Sequence, residues 1–191
     1  MTESQHLSDA EFKDEAGSPS AHAAAEVHSR RNARGWRWLP VAALVILVDQ
    51  LSKAWMLRHF RYAEDVVLLP VLNITLRFNT GAAFSMLADA SGWQRWFFAG
   101  LAVAVGGAIV VWLHRLDARA ERLLSLSLSL ILAGAIGNLI DRLQLGHVID
   151  FIDFHWKDVH FPAFNVADSA ITIGAALMLL DAWIGGRHRS K

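Results

Sequence analysis

An all-α membrane protein of four transmembrane helices, with a small β-sheet on one side of the bilayer, is the fold class this sequence predicts, and three observations predict it. The chain has 191 residues and is 54% hydrophobic, above the ~45 to 50% usual for soluble domains. Its apolar residues gather in four runs, each about long enough to cross ~30 Å of hydrocarbon at ~1.5 Å per residue. Lys and Arg are shared unevenly between the connections, which is how membrane topology is written.

Residues 1–37 come first. Acidic residues (Glu3, Asp9, Glu11, Asp14) precede a basic group (Arg30, Arg31, Arg34, Arg37). The apolar surface is too small to offset the entropy of ordering, so the segment is expected to be a disordered tail. Its acidic start does not fit a cleaved leader, and the first apolar run is expected to stay in the protein. Residues 38–186 form the membrane domain, and 187–191 a basic C-terminal end.

The predicted spans are Leu39–Leu57, Trp96–Leu113, Leu123–Ile140 and Ala167–Ile184. In the third, the alternation from Leu124 to Leu130 imitates a strand. The apolar run continues to Ile136, however, and serine hydroxyls inside a membrane helix bond back to the preceding turn, so length decides for a helix. Ala102 and Gly106, Ala133 and Gly137, and Ala170 and Gly174 have the small-xxx-small spacing that lets helices approach closely in lipid.

Ten Lys and Arg flank one side: Arg30, Arg31, Arg34, Arg37, Arg115, Arg119, Arg122, Arg187, Arg189 and Lys191. Six (Arg58, Arg61, Arg77, Arg95, Arg142, Lys157) are spread over the two longer loops. Both termini are therefore expected to be cytoplasmic, with loops 58–95 and 141–166 on the far side. In the first of these, Leu72, Ile74, Leu76 and Phe78 alternate with Asn73, Thr75, Arg77 and Asn79, which predicts a half-buried strand. Asn79-Thr80-Gly81 then signals a turn, and 82–87 is expected to return to the interface beside the anchors Trp93 and Trp96.

Composition excludes several functions. With 18 Lys+Arg against 18 Asp+Glu and no basic stripe, nucleic acid is not expected as a partner. Zero cysteines remove disulfides, thiolate zinc sites and a cysteine nucleophile. The chemistry falls to carboxylates, hydroxyls, Lys or His.

Ionisable groups in a span cost ~2.5 to 3.5 kcal/mol each at the helix centre, so they are kept for a reason. Asp49 and Lys53, four apart on the first helix, read as a mutually neutralising pair that orients helices. Asn138…Asp141 closes the third span and Asn165…Asp168 opens the fourth. Both aspartates therefore lie at similar depth, each with an asparagine three residues upstream to orient it. Two carboxylates brought together share a proton, giving one base and one acid. The base activates a water against a peptide carbonyl while the acid protonates the oxyanion. The competing reading makes Asn165 and Asp168 a helix cap and Asp141–Arg142 a surface pair.

Asp49-Gln50-Leu51-Ser52-Lys53, Asn79-Thr80-Gly81-Ala82-Ala83-Phe84, Gly137-Asn138-Leu139-Ile140-Asp141-Arg142, Val148-Ile149-Asp150-Phe151 and Phe161-Pro162-Ala163-Phe164-Asn165-Val166-Ala167-Asp168-Ser169 resemble, in order and spacing, the five motif blocks of the bacterial type II, or lipoprotein, signal peptidases. The similarity spans about residues 38–186. The resemblance implies four membrane helices with a small periplasmic sheet and a surface helix, in the inner membrane. It implies an aspartic endopeptidase cutting diacylglyceryl-modified prolipoproteins on the N-terminal side of the lipidated cysteine. Asp141 and Asp168 are expected as the dyad, Asn138, Arg142 and Asn165 around it, Asn79 on the substrate, and Asp49 with Lys53 as support. Membrane phospholipids and a globomycin-type inhibitor at the dyad are the other expected partners.

Competing sites read more weakly. His147, Asp150, Asp153, His155, Asp158 and His160 crowd the second outer loop without metal-binding spacing, so no metal or other cofactor is expected. The alternation from Val148 to Phe154 reads as an interfacial segment covering the dyad. Ser85 or Ser169 with Lys53 as a Ser/Lys site conflicts with the Asp49–Lys53 pair. A proton or cation relay through the same carboxylates would be favoured by broken helices or inverted repeats, and neither signal is found. A purely structural assembly subunit would tolerate Asp141→Asn.

Overall fold

The computed structural model describes residues 35–81, 92–117 and 121–189, the last five in backbone only. These belong to the unit Ala33–Lys191. Four long helices carry it: α1 (Leu39–His59), α2 (Trp93–Arg115), α3 (Arg122–Gln144) and α4 (Val166–Arg189). Each contains a stretch long and apolar enough to cross a membrane. All four expected spans are present, the first starting at Leu39 as expected and the other ends extended by one to five residues. The expectations for residues 1–34 and 82–91 lie outside the described residues. Gly35–Trp38, whose first three residues were expected in the tail, instead forms a 3-10 turn leading into α1. Its cause is local packing: Trp36 sits edge-on to His114, ring centroids 5.4 Å apart, and Pro40 in the first turn of α1 is preset for a helical start.

Helix α3 is central. Half of its apolar stretch is buried, against 22%, 22% and 17% for the other three, whose apolar faces are left to lipid. Of the predicted small-residue positions, Gly174 of α4 closes on α3, where a Cβ would lie 2.7 Å from the Ser127 carbonyl oxygen, and the same seam is tight at Gly134, outside the predicted pairs. A Cβ on Gly134 would lie 2.2 Å from the Ala167 carbonyl oxygen and 2.6 Å from Ile171 Cγ1. Because the first of these is backbone, no side chain can yield, and Gly134→Ala must push the helices apart. We expect it to lower stability by about 1–3 kcal/mol, read as a fall in thermal unfolding midpoint in detergent. An unchanged midpoint would contradict this contact.

The connections form one antiparallel four-stranded sheet in the order β1 (Asp65–Leu69), β2 (Leu72–Asn79), β3 (Val148–Trp156), β4 (Val159–His160). Strand β2 forms where expected, with Leu76 buried and Ile74 packed beside it against Met56, Ile149 and Phe151, so the sheet is seated on the end of α1. Its burial departs from the expected alternation, because Asn73 and Thr75 are also buried, Phe78 is exposed and the register with β3 shifts between Ile74 and Arg77. Strand β3 corrects the expected interfacial segment. It pairs with β2 from Leu72↔Phe154 to Asn79↔Val148, and its other edge meets β4 and Phe164. The amides of Phe151 and Ile152 both donate to the Phe164 carbonyl, at 3.0 and 2.8 Å. Two residues opposite one make a bulge, which resets the alternation. As a result Phe151 and Ile152 both pack into the core, while Asp150 and Asp153 both line the same cavity.

Candidate active site

The site is built in two tiers, both starting from buried charge. In the lower tier, Lys53 Nζ lies 2.8 Å from Asp49 Oδ2 and 2.8 Å from Asp141 Oδ2. It also donates to Asn138 Oδ1 at 3.1 Å. The expected Asp49–Lys53 pair is therefore present, with one carboxylate more than expected. Asp49 Oδ1 accepts from the Ala167 amide at 2.9 Å, which ties α1 to the start of α4. A Cβ on Gly137 would come within 2.6 Å of Asp49 Oδ2, so this approach requires glycine. Buried ion pairs of this kind hold only when their remaining lone pairs are satisfied, and here they are.

Asp141 belongs to this tier, which corrects its expected pairing with Asp168. Its Oδ1 accepts from Gln50 Nε2 at 3.0 Å. Its Oδ2 accepts from Lys53 and, at 3.2 Å, from the Ile149 amide. The Ile149 peptide separates it from the upper tier, since the carbonyl of the same residue accepts from Asn165 Nδ2 at 3.1 Å. Asp141 does not line the cavity described below. The reason is azimuth: at ~100° per residue, Asp141 points about 60° away from Asn138, toward α1. Asn138 does not orient Asp141 either. It serves Asp168 instead.

In the upper tier, Asp168 Oδ1 accepts from Asn138 Nδ2 at 2.7 Å and Oδ2 from the Asn165 amide at 3.2 Å. Asn165 Oδ1 accepts from the Asp168 amide at 2.9 Å. This is a reciprocal capping box at the start of α4, so the helix-cap reading of Asn165 and Asp168 also holds. Asp150, on β3, accepts from Asn165 Nδ2 at 2.8 Å and from Asn79 Nδ2 at 3.1 Å. One fully buried residue, Asn165, thus donates to both Asp150 and Asp168.

The three amides cannot flip without loss. Asn138 Oδ1 faces the Lys53 ammonium, Asn165 Oδ1 faces an amide N–H, and Asn79 Oδ1 accepts from the Gly81 amide at 3.0 Å. Ammonium and amide N–H are donors only, so each carboxamide must turn its NH2 toward a carboxylate. Arg142 completes the rim. It donates to the Asn138 and Gly81 carbonyls at 3.3 and 3.2 Å and lies over the Phe98 ring, 5.1 Å from its centroid.

These groups open on a cavity of about 1130 Å³ whose wall includes Asn79, Asn138, Arg142, Asp150 and Asp168. Burial pushes the Asp150 carboxyl up to about 7, and the negative charge of Asp168 adds to this. The Asn79 and Asn165 hydrogen bonds and the Lys53 charge pull the other way without cancelling it. A carboxyl holding its proton near neutrality beside a second carboxyl is suited to acid–base chemistry.

Asp150 is the cavity carboxylate that reading by helix depth missed. Its signals were its place in the Val148–Phe151 block and its lone charge among three buried apolar neighbours. Ser169 Oγ donates to the Asn165 carbonyl at 2.9 Å, which occupies it in the helix start; Ser85 lies outside the described residues. No cluster of three or more His, Asp and Glu side chains suited to a metal occurs among the described residues.

Comparison with known proteins gives a consistent picture. Residues 41–184 match the family model described as signal peptidase (SPase) II. The lipoprotein signal peptidase of Shewanella pealeana is 52% identical over 157 residues, 82% of this chain and 92% of the relative. That of Yersinia enterocolitica is 53% identical over 156 residues, with the same coverage of each chain. A solved structure described as a bacterial membrane enzyme superposes with a TM-score of 0.71 at 33% identity, covering 81% of this chain and 92% of that one.

Proposed function

Because the chain belongs to the signal peptidase II family and removes signal peptides from prolipoproteins, we propose that Asp150 and Asp168 carry out the hydrolysis as an aspartic dyad. The observation that carries this reading is the sharing of Asn165 by two carboxylates on one cavity wall, while every oxygen of Asp141 is already engaged below.

Asp168 is the base. It stands in the first turn of α4, where Asn138 Nδ2 and the Asn165 amide each donate to one of its oxygens and hold the carboxylate on the cavity wall. Asp150 is the acid. A water between them attacks the scissile carbonyl carbon, giving one proton to Asp168 as the carbon–oxygen bond forms. Asp150 passes its proton to the carbonyl oxygen. On collapse the carbon–nitrogen bond breaks, Asp168 returns its proton to the leaving amine, and a hydroxyl of the intermediate reprotonates Asp150.

Asn79, Asn138 and Asn165 hold the two carboxylates in register, and Arg142 keeps a positive charge at the rim. The substrate is the diacylglyceryl-modified precursor, cut before its lipidated cysteine. Its lipid pins the bond at the boundary where α3 ends and α4 begins, so proximity is supplied by the anchor. The protein is multi-pass in the bacterial inner membrane. Its basic connections lie in the cytoplasm with both termini, and the sheet and dyad lie at the periplasmic face. A globomycin-type cyclic peptide is expected to compete with precursor in the cavity.

Cleavage of a lipidated precursor by purified protein, with the cut located by mass spectrometry, tests the reaction. Its pH profile tests the shared proton. With Asp150 raised to about 7, activity requires that proton, so kcat/KM should fall as pH rises through about 7. A profile flat from pH 5 to 9 would remove Asp150 as the acid.

A further inference from the structure

The cavity extends past the dyad along a polar sheet face that the hydrolysis does not use. Thr75 and Arg77 on β2 line it with Asp65 on β1, and Arg77 Nη2 lies 3.1 Å from Asp65 Oδ1. Farther on, Asp153 accepts from Asn73 Nδ2 at 3.0 Å and stands 2.9 Å from His160 Nδ1. The β3 bulge turns Asp153 to the same side as Asp150, three residues away, or about 10 Å at ~3.3 Å per residue. An extended peptide covers that distance in three residues.

We propose that this face is the subsite for the first residues of the mature lipoprotein, with Asp153 and His160 reading the side chain about three residues beyond the cut and disfavouring an acidic one. The inference rests on the dyad reading above. The direction follows from solvation. The signal peptide's apolar segment must remain in hydrocarbon, whereas the sheet lies outside the four spans, so only the polar mature segment can cross it.

The chemistry of the wall follows from its charges. Asp65 is matched by the Arg77 guanidinium, but Asp153 is matched only by an amide and an imidazole. His160 is half exposed, at 53% of its side chain, while Asp153 is 10% exposed, so a substrate side chain meets Asp153 where it opens on the cavity beside the imidazole. Carboxylates retain lone pairs beyond two donors. A Lys, Ser or Asn side chain therefore adds a hydrogen bond at Asp153, and an Asp or Glu adds repulsion.

The test is a competition by the full-length enzyme in lipid–detergent micelles between two diacylglyceryl precursors. They differ only in having Lys-Lys or Asp-Asp as the third and fourth residues of the mature chain. The ratio of their kcat/KM values does not depend on how much enzyme is folded, so it remains readable in a destabilised variant. The Lys precursor should be preferred about 2- to 5-fold, the range of a partly exposed charge pair. Asp153→Asn should bring the ratio close to one. His160→Gln, which leaves the carboxylate in place, should keep the ratio at or above that of the unmodified enzyme. Moving the pair to the tenth and eleventh positions should abolish the preference. A ratio near one in the unmodified enzyme, or one unchanged by Asp153→Asn, overturns the proposal. Failure of the dyad reading shows separately, as continued turnover by Asp150→Asn.

Discussion

Asp150→Asn is expected to reduce precursor cleavage by about 10³-fold or more, since it removes the proton donor while keeping the shape of the side chain. The same substitution should change stability in a pH-dependent direction, which a general loss of folding would not do. The folded-state carboxyl titrates near 7, against about 3.9 in an unfolded chain. Between those values the folded protein holds a proton that the unfolded chain has released. Stability therefore declines as pH rises through that window and is lowest above 7. Asparagine carries no such charge. From pH 5 to pH 8 the stability difference should move in favour of the variant by about 3 kcal/mol. At pH 5 the variant is no better than the native residue, because its NH2 must face one of the donors from Asn79 or Asn165. Thermal unfolding at the two pH values, paired with mass-spectrometric cleavage assays, reads both effects. An active variant, or a stability difference independent of pH, would detach Asp150 from the reaction.

Why the sequence reveals the spans and Asp168 of the proposed dyad, but not Asp150, follows from what periodicity reports. Helix length and apolarity are properties of one segment, so α1 to α4 were legible to within a few residues. Strand β2 is legible because apolar and polar residues alternate along it, although covering by β3 also buries Asn73 and Thr75 and leaves Phe78 exposed, which the alternation does not report. Strand β1 is exposed along its whole length, so no burial pattern marks it. Strand β3 is buried at four successive positions, Val148 to Phe151, and then bulges, which destroys a period of two. Asp168 was found because a helix start has a recognisable signature. The expectation for Asp141 rests on its depth, on the asparagine three residues upstream and on the motif resemblance, and none of these fixes the direction around the helix axis. That direction is set by Lys53, a residue 88 positions earlier in the chain, and tertiary contacts at such separation are not encoded in local spacing.

Lys53→Met and Asp141→Asn should separate structural charge from catalytic charge. Lys53 is the cation bonded to Asp49 and Asp141, which are 1% and 3% exposed. Removing it leaves two carboxylates buried without a counter-charge, a change expected to cost about 3–5 kcal/mol. Little folded protein should then accumulate in the membrane. Asp141→Asn acts on the same cluster in the milder direction, because Lys53 keeps Asp49 and Asn138 as partners and one negative charge leaves a group that held two. The loss is close to that of one hydrogen bond, about 1–2 kcal/mol. The folded fraction should cleave lipidated precursor within about tenfold of the native rate, since Asp141 reaches the reacting atoms only through Lys53, Asn138 and Asp168. Membrane abundance and activity per folded molecule measure the two consequences independently. If Asp141→Asn accumulates normally and yet loses about 10³-fold in turnover, Asp141 acts on the substrate itself, and the assignment of acid and base to Asp150 and Asp168 fails.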